Sequence, residues 1–388
     1  MHEPSQTLRN PALDGIRGIA ILSVVLFHAT MTLGHTWPPA QFVLIATQAG
    51  WLGVEVFFAL SGYLITGILL ETKSLSPARF FGRFYFRRAL RILPLYFGVL
   101  LFFLVLPFLF RSLDSPDFER FREMQGWFWL HAANMAREYH GTSLPALEFG
   151  WFELTHFWTL AVEEHFYLVW PFLVYFVSLR WLVINSLLLI VISIVLRTGI
   201  IDINTPLAAA LVATPKSLSG LVVGGLAAVW IHVSGKESIV HSAAFLGGLT
   251  TLGLIALFVI AGTSSQAPAF RSAAAALAEL ATASAAVVVT CRPTGRIGLA
   301  LTRPVFLIYG KYSYGIYIFH ILLGPWTRTV NLTAWPGGYT FGAICYVLLF
   351  LLVPLGVAIV SYHYWELPWI RLKSRFPKTV SPQASKAL

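Results

Sequence analysis

LDGIRGIAILSVVLFHATMT, residues 13–32, decides the fold class, because a long apolar run here carries two ionisable groups, Arg17 and His28. About 20 such residues suffice to cross a bilayer as a helix. Arg17 and His28 are eleven residues apart, which is about 1,100° of helical rotation and about 16 Å of rise, so they share one face. An ionisable side chain costs about 2.5–3.5 kcal/mol at a helix centre on insertion scales, so that face turns toward a protein interior or a wet cavity. Asp14 precedes the first apolar turn and is expected to cap free backbone N–H groups.

The same pattern recurs along the chain. Its 388 residues are 57% hydrophobic and 11% charged, with mean hydropathy +0.73; a soluble domain carries about 25% charged residues. Ten segments are long enough to cross: 15–33, 50–70, 93–110, 157–177, 181–200, 207–231, 241–262, 273–290, 305–323 and 341–362. Pro215 and Lys216 interrupt the sixth. The fold class expected is an all-α polytopic membrane protein, with about ten helices around a central cavity.

The loops give the segments a direction. With the N-terminus inside, 19 of the 27 lysines and arginines fall on the cytoplasmic side and eight outside, the asymmetry that orients membrane proteins. Both termini come out cytoplasmic, and the protein belongs in the plasma membrane. The net charge of +10 therefore marks loops and an anionic leaflet; no nucleic-acid partner is expected. Cys291 and Cys345 fall at opposite membrane ends, so no disulfide is expected, and the first segment does not read as a cleavable signal peptide. The chain divides into a cytoplasmic segment 1–12, a transmembrane domain 13–370 and a basic tail 371–388 expected to be disordered. Within the domain, an external connection 111–156 holds seven carboxylates, Asp114 and Glu148 among them, and reads as either a lid or a solvated connector.

Polar residues at membrane depth name the candidate site. The second segment places Glu55 in its outer part. Near its middle, Ser61-Gly62 reads first as close helix packing, with Ser61 also a candidate for the cavity. FFGRFYFRRALRILPLYF, 80–97, carries Arg88 and Arg91 into the cytoplasmic start of the third segment. They share a face, and two guanidiniums beside an apolar core suit a phosphorylated ligand. HFWTLAVEEHFYLVWP, 156–171, sets His156, Glu163, Glu164 and His165 in the outer half, at about the depth of His28. Adjacent glutamates point about 100° apart, so one is expected to face the cavity and the other a neighbour or the headgroups. Tyr317 and His320, late in GKYSYGIYIFH, are candidates for the cavity or an acceptor, and His320 could equally be a satisfied interfacial histidine. The pattern suggests an arginine-rich cytoplasmic mouth for a phosphorylated ligand, and histidines with carboxylates further out for proton handling on a hydroxyl. No phosphate-binding glycine loop, dinucleotide fingerprint or zinc motif occurs, and no metal site is expected. The same buried groups would also suit a proton-coupled transporter.

Six stretches, LDGIRGIAILSVVLFH, GVEVFFALSGYLIT, FYFRRALRILPLYF, HFWTLAVEEHFYLVWP, GKYSYGIYIFH and WELP, span 13–368 in order. In them the chain resembles the membrane acyltransferase type 3 family, integral-membrane enzymes that O-acylate sugars and other hydroxylated molecules. The resemblance implies ten core helices, acyl-CoA from the cytoplasm as co-substrate with no tightly bound cofactor, and a carbohydrate or other hydroxylated acceptor outside. Acetyl is the default acyl group. It places the catalytic histidine on His28, its partner arginine on Arg17, the Arg-x-x-Arg pair on Arg88 and Arg91, and the acidic motif on Glu163 and Glu164. His165 departs from the glutamine common in the family. Some relatives add a C-terminal esterase-like domain, which is not expected here.

Overall fold

The computed structural model describes residues 10–31, 47–110, 116–140, 152–262, 267–322 and 338–375. Asp114 and Glu148 of the connection, and residues 1–9 and 376–388 of the two ends, lie outside them. Every extended regular element described is helical. Eight spans are long and apolar enough to cross a membrane, and the chain is an all-α polytopic membrane protein.

The first helix, α1 (Pro11–Met31), begins at Asn10, whose side-chain oxygen accepts from the Ala12 N–H at 3.0 Å. Asp14 does not take the capping role expected of it. It accepts instead from Arg17 at 2.8 Å, one turn further on. α2 (Leu52–Thr72) follows a single 3₁₀ turn. α3 (Pro77–Leu109) is 33 residues long, about 50 Å. It starts 16 residues ahead of the expected segment, because Pro77 stands in the first turn, where a missing N–H costs nothing. Arg88 and Arg91 therefore lie well inside a continuous helix.

Between α3 and α6 (Phe157–Phe176) stand α4 (Pro116–Trp129) and α5 (Ala133–Tyr139). They are docked on α3 by Tyr96, whose hydroxyl donates to the Phe128 carbonyl at 2.8 Å and whose ring stacks on His131 at 4.2 Å. Burial, with the like charge of His165 second, holds the His131 imidazole down to about 4, so it packs neutral. Part of the expected external connection is thus helical and packed.

α7 (Leu179–Thr198) precedes α8 (Pro206–Lys216) and α9 (Ser219–Ser234), which split the sixth expected segment just after Pro215 and Lys216. α10 (Lys236–Ala261) and α11 (Pro268–Cys291) pair with each other. After α12 (Arg296–Leu301) come α13 (Pro304–Phe319) and α14 (Gly338–Ser361). A π-helical turn (Tyr362–Glu366), α15 (Leu367–Arg371) and a 3₁₀ turn (Leu372–Arg375) continue the ordered chain past the expected boundary at 370. Leu188 and Val191 of α7 and Leu252 and Val259 of α10 stay exposed, as suits a lipid-facing surface. The two expected segments that fall short as spans are α6 and α13. α13 has only 16 residues, and α6 carries Glu163, Glu164 and His165.

Glycines set two crossings. At Gly62 of α2 and Gly224 of α9, an added Cβ would sit well inside contact with the Leu221 and Ala59 carbonyl oxygens. At Gly18 of α1 and Gly310 of α13, it would meet the Phe306 and Asp14 carbonyls. In lipid, where no hydrophobic drive separates helix from solvent, such close backbone approach is a main source of association.

Away from the cavity, Arg197 of α7 reaches two carboxylates, Glu279 of α11 at 2.7 Å and Glu55 of α2 at 3.6 Å, and also contacts Ser219. Glu55 is thereby taken up by an ion cluster, and one of its carboxylate oxygens is buried without a hydrogen bond.

Two outcomes test this packing. Gly62→Ala should lower the melting temperature in detergent by several degrees, whereas Gly67→Ala on the same helix, with nothing within 4 Å, should be neutral or slightly stabilising. Arg197→Met strands two buried carboxylates and should cost about 3–5 kcal/mol. The triple variant with Glu55→Gln and Glu279→Gln should recover most of that loss in the same thermal assay.

Candidate functional site

A cavity opens between α1, α2, α3, α6 and α13. Its polar lining is Arg17, Ser61, Arg88, Arg91, Thr159, Glu163, Glu164, Tyr167, Ser313, Tyr314 and Tyr317. Val54, Phe57, Phe58, Ile92 and Leu160 supply the apolar wall. Three arginines from two helices thus face two carboxylates from a third.

Each member is placed by helical spacing. Thr159, Glu163 and Tyr167 are four residues apart, one stripe along α6, and Ser313 and Tyr317 repeat that spacing on α13. Glu163 takes hydrogen bonds from Ser61 and Tyr167 and lies in the field of Arg88 and Arg17. Ser61 and Tyr167 are themselves 2.5 Å apart. The Arg88 guanidinium sits 4.5 Å from the Tyr167 ring centre, and Glu164 also feels its charge. Arg91 lies in the fields of Arg17 and Arg88 and of Glu366 in the π-helical turn. Tyr314 fixes the wall by donating to the Ile92 carbonyl at 2.7 Å. Gly62 packs as expected, while Ser61 beside it belongs to the cavity.

Two features differ from the pattern read in the sequence. Both glutamates line the cavity. They also stand beside the arginines rather than with His28, since the early start of α3 carries Arg88 deep enough to meet them. His28, His320 and Glu55 do not line the cavity.

His28 belongs to a second group. Its ring lies 5.1 Å from that of His320, and His320 lies 5.4 Å from His156. A carbonyl oxygen can only accept, so each contact with one fixes a tautomer. His28 Nδ1 lies 2.8 Å from the Val24 carbonyl and must donate, leaving Nε2 with its lone pair. His320 Nδ1 donates to the Tyr317 carbonyl at 2.8 Å, and His156 Nε2 to the Ile318 carbonyl at 3.0 Å. The remaining nitrogens, His320 Nε2 and His156 Nδ1, are buried and unpartnered. Among the described residues no three histidine, cysteine or acidic side chains are placed to hold a metal ion.

Tyr317 joins the two groups. It lines the cavity, its hydroxyl is 2.7 Å from Thr159 Oγ1, and its ring lies 5.4 Å from His320. His156, read in the sequence at about the depth of His28, arrives through the segment preceding α6, which bonds to the end of α13 by Glu153 N–H to the Leu322 carbonyl at 2.9 Å. Tyr167 and Thr159 were missed, although their spacing from Glu163 was a readable signal. His165 turns away: its Nδ1 lies 2.7 Å from Thr214 Oγ1, which accepts from Asn134 at 2.7 Å. The side-chain amide of a glutamine would make the same bond.

The Staphylococcus aureus protein named O-acetyltransferase OatA is 28% identical over 375 residues, 92% of this chain and 57% of that protein. The Listeria monocytogenes protein named peptidoglycan O-acetyltransferase OatA is 30% identical over 198 residues, 50% of this chain and 28% of that protein. The Bacillus subtilis protein YrhL is 26% identical over 381 residues, 92% of this chain and 54% of that protein. The chain thus spans about half the length, or less, of the curated relatives it matches. No solved structure matches it. The profile of the Acyltransferase domain family, acyltransferase 3, matches residues 10–363, nearly all of the chain, and the chain belongs to that family.

Proposed function

We propose that the chain is an O-acyltransferase of the plasma membrane. It moves an acyl group, acetyl in the simplest case, from acyl-CoA on the cytoplasmic side to a hydroxyl of a cell-wall carbohydrate. The observation that carries this reading is a cavity in which Arg17, Arg88 and Arg91 meet Glu163 and Glu164. Tyr317 links it to a histidine with a free basic nitrogen. The relatives' names point to peptidoglycan as the first acceptor to try.

In this reading Arg88 and Arg91 take the donor's diphosphate, since a guanidinium offers a planar fork to phosphate oxygens. Glu163 and Glu164 are positioning residues: with Tyr167 they hold Arg88 and offset its charge when no donor is bound. The acyl thioester extends past Phe57 and Tyr317 toward His28. His28 Nε2 accepts the proton of the acceptor hydroxyl as its oxygen attacks the thioester carbonyl carbon. The C–S bond breaks, the C–O bond forms, and the imidazolium returns its proton to the departing thiolate. The same nitrogen could first carry the acyl group itself before passing it to the hydroxyl. Arg17 is three helical turns from His28 and serves the donor.

His28→Gln should lower transfer from labelled acetyl-CoA by at least about 100-fold while leaving CoA binding intact; undiminished transfer would overturn both routes. Arg88→Lys keeps the charge but loses the fork, and should raise the KM for acetyl-CoA about tenfold. Purified protein in detergent should transfer or hydrolyse the acyl group, which a proton-coupled transporter would not do.

A further inference from the structure

His28 has a single nitrogen to offer. Its Nδ1 donates to the Val24 carbonyl at 2.8 Å, so only the lone pair on Nε2 is free for chemistry. Once that lone pair carries an acyl group, it cannot also take the proton of the attacking hydroxyl. Transfer through an acyl-histidine therefore needs a second base, placed beside His28 and within about 2.6–3.2 Å of the same hydroxyl oxygen.

Two further lone pairs adjoin His28. The His320 ring lies 5.1 Å from the His28 ring, and the His156 ring 5.4 Å from that of His320. Both tautomers are fixed by backbone carbonyls, Tyr317 at 2.8 Å from His320 Nδ1 and Ile318 at 3.0 Å from His156 Nε2. His320 Nε2 and His156 Nδ1 are thus acceptors, both buried and both without a hydrogen-bond partner. The neighbouring hydroxyls do not supply one. Thr159 donates to the His156 carbonyl at 3.0 Å, so the 2.7 Å bond between Thr159 and Tyr317 uses the Tyr317 proton. Acceptors buried in this way are unfavourable until a donor joins them.

The choice between the two is geometric, because it is the His320 ring that abuts His28. Resting on the acyl-transfer reading above, we propose that His28 Nε2 is the nucleophile and His320 Nε2 the general base for the acceptor hydroxyl. His28 Nε2 attacks the thioester carbonyl carbon, the C–S bond breaks, and coenzyme A leaves as a thiolate that takes a proton from water. The acylated imidazole keeps its Nδ1 proton on the Val24 carbonyl. The acceptor oxygen then attacks the acyl carbon while its proton passes to His320 Nε2. The C–N bond breaks, its electron pair returns to His28 Nε2, and His320 gives its proton to water.

The test uses the full-length protein in detergent, with radiolabelled acetyl-CoA as donor and either water or muramidase-released peptidoglycan fragments as acceptor. His320→Gln keeps an N–H for the Tyr317 carbonyl but cannot take a proton. It should release one equivalent of coenzyme A within about threefold of the wild-type rate, hold the label on His28, and lower turnover by at least about 100-fold. His320→Asn, a shorter amide, should behave alike, with acetyl-CoA affinity unchanged in both variants. The double variant His28→Gln, His320→Gln should carry no label. Undiminished turnover in the His320 variants, or coenzyme A release slowed as much as transfer, would overturn the assignment. Transfer lost without any labelled protein would overturn it in favour of His28 as the base. Failure of the wild-type protein to consume acetyl-CoA would instead remove the acyl-transfer reading on which the assignment rests.

Discussion

The arrangement of this protein depends on neutralising guanidinium groups away from water. Arg17, Arg88 and Arg91 come from α1 and α3, and the carboxylates that offset them come from α1 itself, α6 and the π-helical turn. An uncompensated charge at that depth costs more than any single apolar contact returns. Three of the five lining helices, α1, α3 and α6, are therefore tied in register by charge as well as by packing. α6 pays for this with its hydropathy: the glutamates that hold Arg88 make it one of two expected segments that fall short as spans.

Backbone contact at glycine makes the register exact enough for chemistry. Gly18 and Gly310 let α1 and α13 touch along their main chains, which brings Tyr314 and Tyr317 to the wall opposite α6. Gly62 and Gly224 do the same for α2 and α9, leaving Ser61 free to reach Tyr167 at 2.5 Å. A side chain at any of these four glycines would move the cavity wall before it changed the cavity's composition.

How much of this could be read in advance follows from the range of each interaction. The helical period placed Arg17 and His28 on one face, and it placed Arg88 beside Arg91. It also held the stripe Thr159, Glu163 and Tyr167, a signal present but not used. Contacts between distant segments left no such trace. Nothing local pairs Glu55 with Arg197 and Glu279, or brings His156 from the segment before α6 to His320. The depth of Arg88 was misjudged for a related reason. Hydropathy begins to rise only near residue 93, whereas α3 begins at Pro77, so a polar first half concealed about four turns of regular helix.

The separation of cavity and histidines has a chemical consequence for the proposed reaction. Phosphate binding needs positive charge held close, and a general base needs a neutral imidazole; a guanidinium beside His28 would favour neither its protonation nor its role as a base after proton capture. The eleven-residue spacing along α1 keeps Arg17 about 16 Å of rise from His28, while one helix still orients both. Tyr317 and Thr159 fill the interval with hydroxyls 2.7 Å apart, groups that carry no charge and can accept or donate along a thioester's path. The shared face on α1 is therefore best understood as a spacer: it aligns the cationic end with the imidazole end and keeps their opposing electrostatic requirements apart.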